Sequence, residues 1–178
     1  MNSYYNITKL FTQRRKRVII IRIDRPTAAG YDRSFYSIME YITNSEKETE
    51  TIGEQFGRRA KDGTVVAMYG DLGAGKTAFV RGMARGMGLS CRVSSPTFTI
   101  VNEYLGEREL IHFDMYRLSS ADELFDIGWE DYLSRNAVCA VEWSENVQDA
   151  FFGDEIVVRI EKLNDTDRKI LIEGVDLC

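Results

Sequence analysis

Apolar positions fall into two kinds of pattern along this chain, continuous runs and periodic ones, and they alternate. Residues 64–69, Thr-Val-Val-Ala-Met-Tyr, form a short unbroken run, the pattern of a strand buried on both faces. Residues 137–141, Ala-Val-Cys-Ala-Val, repeat it and end on Glu142. Between and around these runs the period changes. Ile52, Phe56 and Ala60 recur at helical spacing. Ser45 and Glu48 before them have capping-box spacing, with Ser45 as N-cap and Glu48 reaching back, and Gly63 suits the helix stop. A second helix is predicted from Thr77 to about Gly86 or Gly88. Residues 110–118 alternate well enough for a strand, and the β-rich stretch through Tyr104 precedes it across Gly106, so the two can form a hairpin. Ser120 and Glu123 frame a short capped helix, and 131–133 reads as another helical turn. Residues 156–160 and 169–173 alternate as two final strands. The pattern predicts a single small α/β domain: a mostly parallel central sheet flanked by helices, with an antiparallel hairpin.

Residues 1–38 do not share this pattern. Only 17–24 reads as a strand there. The expectation is a basic N-terminal extension over 1–38, weakly ordered or dispensable, and a domain over 39–178 with Met39 as a natural start. The alternative for the extension is a basic tether to RNA or a partner. Charge marks the same boundary. The first 38 residues hold eight Lys/Arg and two Asp, a net of +6, while the remainder carries −11 within an overall −5. An acidic domain is a poor nucleic-acid binder by itself, because affinity for polyphosphate comes mainly from basic groups. A nucleic-acid substrate would need a partner to hold it.

Composition narrows the class further. The chain has 178 residues, 44% hydrophobic and 29% charged, with only two Pro. No apolar run approaches the ~20 residues that span a bilayer. Arg14-Arg15-Lys16-Arg17 before Val18-Ile19-Ile20-Ile21 resembles the start of a signal peptide, but Arg22 ends the run and no small-residue cleavage site follows. A cytoplasmic protein is expected. Cys91, Cys139 and Cys178 are far apart, so neither a zinc site nor a disulfide framework is indicated, and Cys139 reads as a small core residue. His112 is the only histidine and cannot build a multi-histidine metal site.

Between the first run and the second helix stands Gly70-Asp71-Leu72-Gly73-Ala74-Gly75-Lys76-Thr77, which fits the phosphate-loop pattern G-x-x-x-x-G-K-[ST]. Its glycines let backbone N–H groups turn inward around phosphates. Lys76 is placed to reach the β- and γ-phosphates of a nucleotide, and the Thr77 hydroxyl can ligate Mg²⁺. The strand–loop–helix context defines a P-loop NTPase domain. Hydrolysis also needs acidic groups to hold Mg²⁺ and position water. Glu142, at the end of an apolar strand, is one candidate, and Asp114, between Phe113 and Met115, is the other. For Asp114 the bland alternative is an ion pair with Arg117, and for Glu142 an exposed strand-end charge. Thr97 and Thr99 are candidates for a switch-like loop that senses the γ-phosphate, or ordinary hairpin threonines. Trp143 either lines the nucleotide site or packs. Arg81 and Arg85 read as solvated helix-face charges. The guanine motif N-K-x-D is absent, so adenine is the expected base.

Taken together these blocks resemble the TsaE (YjeE) family of small bacterial P-loop ATPases. The resemblance is carried by residues 70–77, by Ser95-Pro-Thr-Phe-Thr-Ile-Val-Asn-Glu-Tyr104, by His112-Phe-Asp-Met-Tyr-Arg-Leu118, by Asp126-Ile-Gly128 with Tyr132-Leu133, and by Glu142-Trp-Ser-Glu145. It covers the chain from about Met39 onward, and residues 1–38 lie outside it. The resemblance implies the ATPase component of the machinery that makes N6-threonylcarbamoyladenosine at position 37 of tRNAs. In that machinery a TsaD–TsaB complex transfers the group and the ATPase docks on it, hydrolysing ATP to support its turnover. It further implies ATP and Mg²⁺ as cofactors, slow hydrolysis without partners, Lys76 on phosphates, Thr77 and Glu142 as Mg²⁺ ligands, and Asp114 assisting metal or water. Two other classes remain open from the residues: a small-molecule P-loop kinase, disfavoured by the acidic segment after Arg117, and a nucleotide-binding regulatory module with little turnover.

Overall fold

The computed structural model describes the backbone of residues 5–13, 16–27 and 30–174, and side chains from residue 38 to 174. Cys178 lies outside the described residues. Nine strands among them form one sheet: β1 Tyr5–Gln13, β2 Lys16–Thr27, β3 Gly30–Thr43, β4 Val65–Tyr69, β5 Val101–Tyr104, β6 Leu110–Asp114, β7 Val138–Glu142, β8 Ile156–Lys162 and β9 Arg168–Glu173. Their spatial order is β1-β2-β3-β9-β8-β4-β7-β6-β5. The central strands β8, β4, β7 and β6 run parallel. Antiparallel pairs flank them on both sides, and β5–β6 is the expected hairpin.

Two helical layers cover the sheet. Helices α1 Glu46–Gly57 and α2 Lys76–Gly86 lie on one face. There Phe56, Phe79, Val80 and Met83 pack with Met68, Leu110, Ala140 and Ile170. Helices α3 Ala121–Asp126 and α4 Trp129–Ser134, with the 3-10 segment Ser144–Ala150, cover the other face. Their core joins Leu124, Trp129 and Val147 to Ile111, Phe113, Cys139 and Val141. The two continuous apolar runs are central strands because both faces must be apolar there. Cys139 is buried among them, and burial pushes its thiol up to about 12, so it is an inert core residue.

Helix α1 begins where the capping pattern places it. The Ser45 hydroxyl accepts from the Glu48 N–H at 3.2 Å, but the Glu48 carboxylate accepts from the N–H of Asn44, not Ser45, at 2.8 Å. The helix ends at Gly57 rather than near Gly63, which instead occupies the turn before β4 with φ +79°. Helix α2 closes on Gly88: the Leu89 N–H donates to Ala84 O at 2.9 Å and the Gly88 N–H to Arg85 O at 3.1 Å.

Close approach sets the α1–α2 contact. Gly53 and Gly57 on α1 face Gly82 and Gly86 on α2, and a Cβ on any of them would lie within 2.3 Å of a backbone carbonyl oxygen of the other helix. Arg81 and Arg85 are not free surface charges. Arg81 donates to Glu46 at 2.6 Å and Glu50 at 2.8 Å, and Arg85 to Glu54 at 2.6 Å, lacing the two helices together.

The structure differs from the sequence reading at two further places. Residues 1–38 carry more than the one strand expected over 17–24: β1, β2 and most of β3 lie there, and the expected boundary at Met39 falls inside β3. The apolar run Val18-Ile19-Ile20-Ile21 announces β2, but β1 and β3 mix polar and apolar residues without sustained alternation, so neither gives a strand signal. The strand expected over 110–118 stops at Asp114, because the Asp114 carboxylate accepts the Tyr116 N–H at 3.1 Å and caps a 3-10 turn, Met115–Arg117.

Gly82→Ala should lower stability by roughly 1–3 kcal/mol in urea titrations through overpacking, although alanine has the higher helix propensity. A chain beginning at Met39 should keep its melting cooperativity and nucleotide binding, because Met39 to Thr43 retain their pairing with Ile172 to Arg168 on β9. Loss of either would show that the first 38 residues are integral.

Candidate functional site

Strand pairing assembles the site. Glu142 is registered with Met68 on β4 and with Asp114 on β6. The three strands are parallel, so their C-terminal ends reach the same edge, where ligands bind in sheets of this kind. Residues 70–77 leave β4 at that edge and enter α2. Gly75 caps the helix with φ +112°, and Gly70, at φ +141°, has no room for a side chain because Ile160 O would be 2.3 Å from a Cβ. The loop lines a cleft of about 710 Å³ together with Asn44, Ser45, Thr97, Asp114, Glu142 and Trp143. A slightly larger cavity, about 770 Å³, lies around Phe56, Gly63 and Val65 at the opposite end of β4, away from these groups.

Inside the cleft the polar groups are buried and paired. Lys76 donates to Gly70 O and, at 3.2 Å, to Asp71 O, and its Nζ lies 3.9 Å from the centre of the Trp143 ring. Burial pushes the Lys76 ammonium below the usual lysine range, while Glu142, Glu145, Asp114 and Asp71 pull it back up. The Thr77 hydroxyl donates to Glu142 Oε1 at 2.8 Å. Glu142 is only 3% exposed, so it is not a solvated strand-end charge. Asp114 makes no ion pair with Arg117 among the described contacts. Its Oδ2 accepts from Ser95 at 2.8 Å and Thr97 at 2.5 Å, and Arg117 instead lies over the Phe98 ring at 4.6 Å. Thr97 therefore reaches the site, whereas the Thr99 hydroxyl turns away to Asn102 at 3.0 Å. Trp143 both lines the cleft and packs, with its ring 5.0 Å from that of Tyr116. Trp143 and Ile100 hold positive φ, 59° and 67°. For β-branched Ile100 that is a strained conformation at the end of the Thr97 segment.

Two residues enter the site that sequence reasoning passed over. His112, fully buried, places Nε2 2.8 Å from Glu142 Oε1. The available signal was its position two residues before Asp114 on an alternating strand, which puts both on one face. Arg168 on β9 donates from Nε to Ala74 O at 2.9 Å and from a terminal nitrogen to Gly73 O at 3.3 Å, bracing the loop from 94 residues away. Nothing local in the sequence announces that contact.

The fold and the loop define a P-loop nucleotide-binding domain. A family model described as "Threonylcarbamoyl adenosine biosynthesis protein TsaE" matches residues 43–170. Proteins named tRNA threonylcarbamoyladenosine biosynthesis protein TsaE align over most of the chain. The one from Treponema pallidum (strain Nichols) is 37% identical over 134 residues, covering 75% of this chain and 99% of that one. The one from Bacillus subtilis (strain 168) is 37% identical over 138 residues, covering 77% and 86%. The crystal structure of Bacillus subtilis YdiB superposes with a TM-score of 0.68 at 32% identity, covering 79% of this chain and 88% of that one. This chain belongs to the TsaE family, whose members take part in threonylcarbamoyladenosine biosynthesis. Among the described residues no helix is long and apolar enough to cross a membrane.

Arg168→Gln should weaken nucleotide binding by about tenfold in calorimetric titration, the scale of one lost charge-assisted hydrogen bond, with little change in melting temperature. Unchanged affinity would mean that the loop holds its shape without the brace.

Proposed function

We propose that this protein is a cytoplasmic Mg²⁺-dependent ATPase that serves the TsaD–TsaB complex in making N6-threonylcarbamoyladenosine at position 37 of tRNA. The observation that carries the ATPase reading is the Thr77 hydroxyl on the buried Glu142 carboxylate, 2.8 Å apart, beside the loop lysine. A hydroxyl and a carboxylate are hard oxygen donors and fit Mg²⁺. The described residues hold no cluster of three or more His, Cys, Asp or Glu that could cage an ion alone. That suits a cation that arrives with the nucleotide and keeps phosphate and water ligands. When bound, Mg²⁺ would neutralise charge on the phosphates.

Thr77 and Glu142 would hold that cation. Lys76 and the backbone N–H groups of Gly70, Asp71, Leu72, Gly73, Ala74 and Gly75 would bind the phosphates. Asp114 would act with Thr97 as one unit, because both hydroxyls that fasten residues 95–97 end on its Oδ2. A γ-phosphate competing for those hydroxyls would change how the segment is held, which gives a switch its physical basis. Trp143 would wall the site beside Lys76. The base and ribose would lie in the remainder of the cleft, whose lining includes Asn44, Ser45 and Arg168, with adenine as the expected base.

Docking on partners is supported by the surface at the mouth of the cleft. Leu72, which lines the cleft, and Phe98, next in sequence to the cleft residue Thr97, stand almost fully exposed and offer apolar contact to a partner. The acidic balance of residues 39–178 fits partners that supply the tRNA contact.

Glu142→Gln should reduce ATP hydrolysis measured with TsaD and TsaB by roughly 10²-fold or more while an ATP analogue still binds. Unchanged hydrolysis would instead support a nucleotide-binding module with little turnover. Cells depleted of the protein should yield tRNA lacking threonylcarbamoyladenosine by mass spectrometry, and undiminished modification would overturn the pathway assignment.

A further inference from the structure

We infer that His112 is a positioning residue for Glu142: its Nε2–H fixes one carboxylate oxygen so that the other stays aimed into the cleft. The inference rests on the reading of Thr77 and Glu142 as the pair that meets a nucleotide-borne cation. It begins from a cost. Positions 110, 112 and 114 of β6 share one face, and Leu110 shows that the core beneath takes an apolar side chain readily. His112 is fully buried, yet its Nδ1 has no hydrogen-bond partner among the described residues. A buried polar atom left unpaired is a net cost to folding. Burying a leucine or methionine there would avoid that loss, so packing does not explain the histidine. The bond from its Nε2 to Glu142 does.

That contact is placed to control Glu142. Oε1 accepts from both His112 Nε2 and Thr77 Oγ1, each at 2.8 Å. Two donors from different elements, β6 and the start of α2, pin the same oxygen. Among the described residues nothing donates to Oε2, and it is not one of the sealed-off polar atoms, so it is the oxygen left open to the cleft. The Thr77 hydroxyl can donate to Oε1 and offer its lone pairs to a ligand at once, but it is a free rotor whose direction the ligand sets, whereas the buried imidazole is fixed by its packing. His112 is therefore the donor that holds the carboxylate plane. Without it, Glu142 gains rotamer freedom that binding must remove again.

The test uses the full chain and a non-hydrolysable ATP analogue. Its affinity is measured by calorimetry in EDTA and at saturating Mg²⁺, and the ratio of the two reports metal coupling. His112→Leu should leave the metal-free affinity unchanged and cut the coupling by about tenfold or more, the scale seen when a residue orienting a metal ligand is lost. His112→Gln, whose amide nitrogen can reach Oε1, should recover most of it. If the leucine variant does not fold, His112→Met against His112→Gln makes the same comparison. Full coupling in the leucine or methionine variant would overturn the inference. So would a parallel loss of both affinities, which marks a purely structural role, or a glutamine variant no better than the apolar one. Absence of any coupling in the unmodified chain would overturn the cation reading of Thr77 and Glu142 instead, and this inference with it.

Discussion

The hydrogen-bond register of three parallel strands is the constraint on which the site depends. β4, β7 and β6 lie side by side, and pairing sets Met68 beside Glu142 and Glu142 beside Asp114. The phosphate loop is the continuation of β4, so its position is fixed by the same ladder. A slip of one residue would turn Glu142 to the opposite face of the sheet and put Val141 in its place. The placement of Glu142 and Asp114 beside the start of the loop is therefore as precise as the backbone pairing. Ser144 reinforces the ladder: its hydroxyl donates to Val141 O at 2.8 Å and accepts the Met68 N–H at 3.1 Å, tying β7 to β4 just below the loop.

The same edge concentrates what the fold would otherwise avoid. Lys76, His112, Asp114 and Glu142 are all buried. Each is costly to remove from water unless paired, and the pairs found are with one another, with loop carbonyls and with hydroxyls of residues 95–97. Strain gathers there as well, at Ile100 and Trp143. An uncompensated polar atom, His112 Nδ1, and strained backbone at one end of an otherwise apolar core are the usual mark of a site kept for its chemistry. The rest of the domain offsets this with close packing. The α1–α2 pair, held at backbone contact by four glycines and laced by Arg81 and Arg85, gives the loop a rigid helix to enter.

The sheet also connects distant parts of the chain to the loop. β3 pairs with β9, Thr43 lies opposite Arg168, and Arg168 reaches back to the loop carbonyls. The start of the family match at residue 43 thus coincides with the strand that positions the loop's brace. The N-terminal strands β1 and β2 extend the sheet outward from that point, away from the cleft edge in strand order.

Much of this was legible in the sequence. Two unbroken apolar runs, the helical spacing after Ser45 and the fixed positions of residues 70–77 determined the central strands, the helices and the nucleotide loop, because these follow from periodicity and from local backbone chemistry. Glu142 and Asp114 were visible as acids ending or interrupting apolar strands. Other features needed the folded chain. That Asp114 fastens Ser95 and Thr97 rather than pairing Arg117, that His112 holds Glu142, and that Arg168 braces Gly73 and Ala74 are contacts between segments far apart in sequence. Strands β1 and β3 and the end of β6 at Asp114 also escaped local reading: the first two lack sustained alternation, and the third was decided by one side-chain hydrogen bond. Periodicity records which face of an element is buried, but only tertiary packing decides which side chains from different elements meet there.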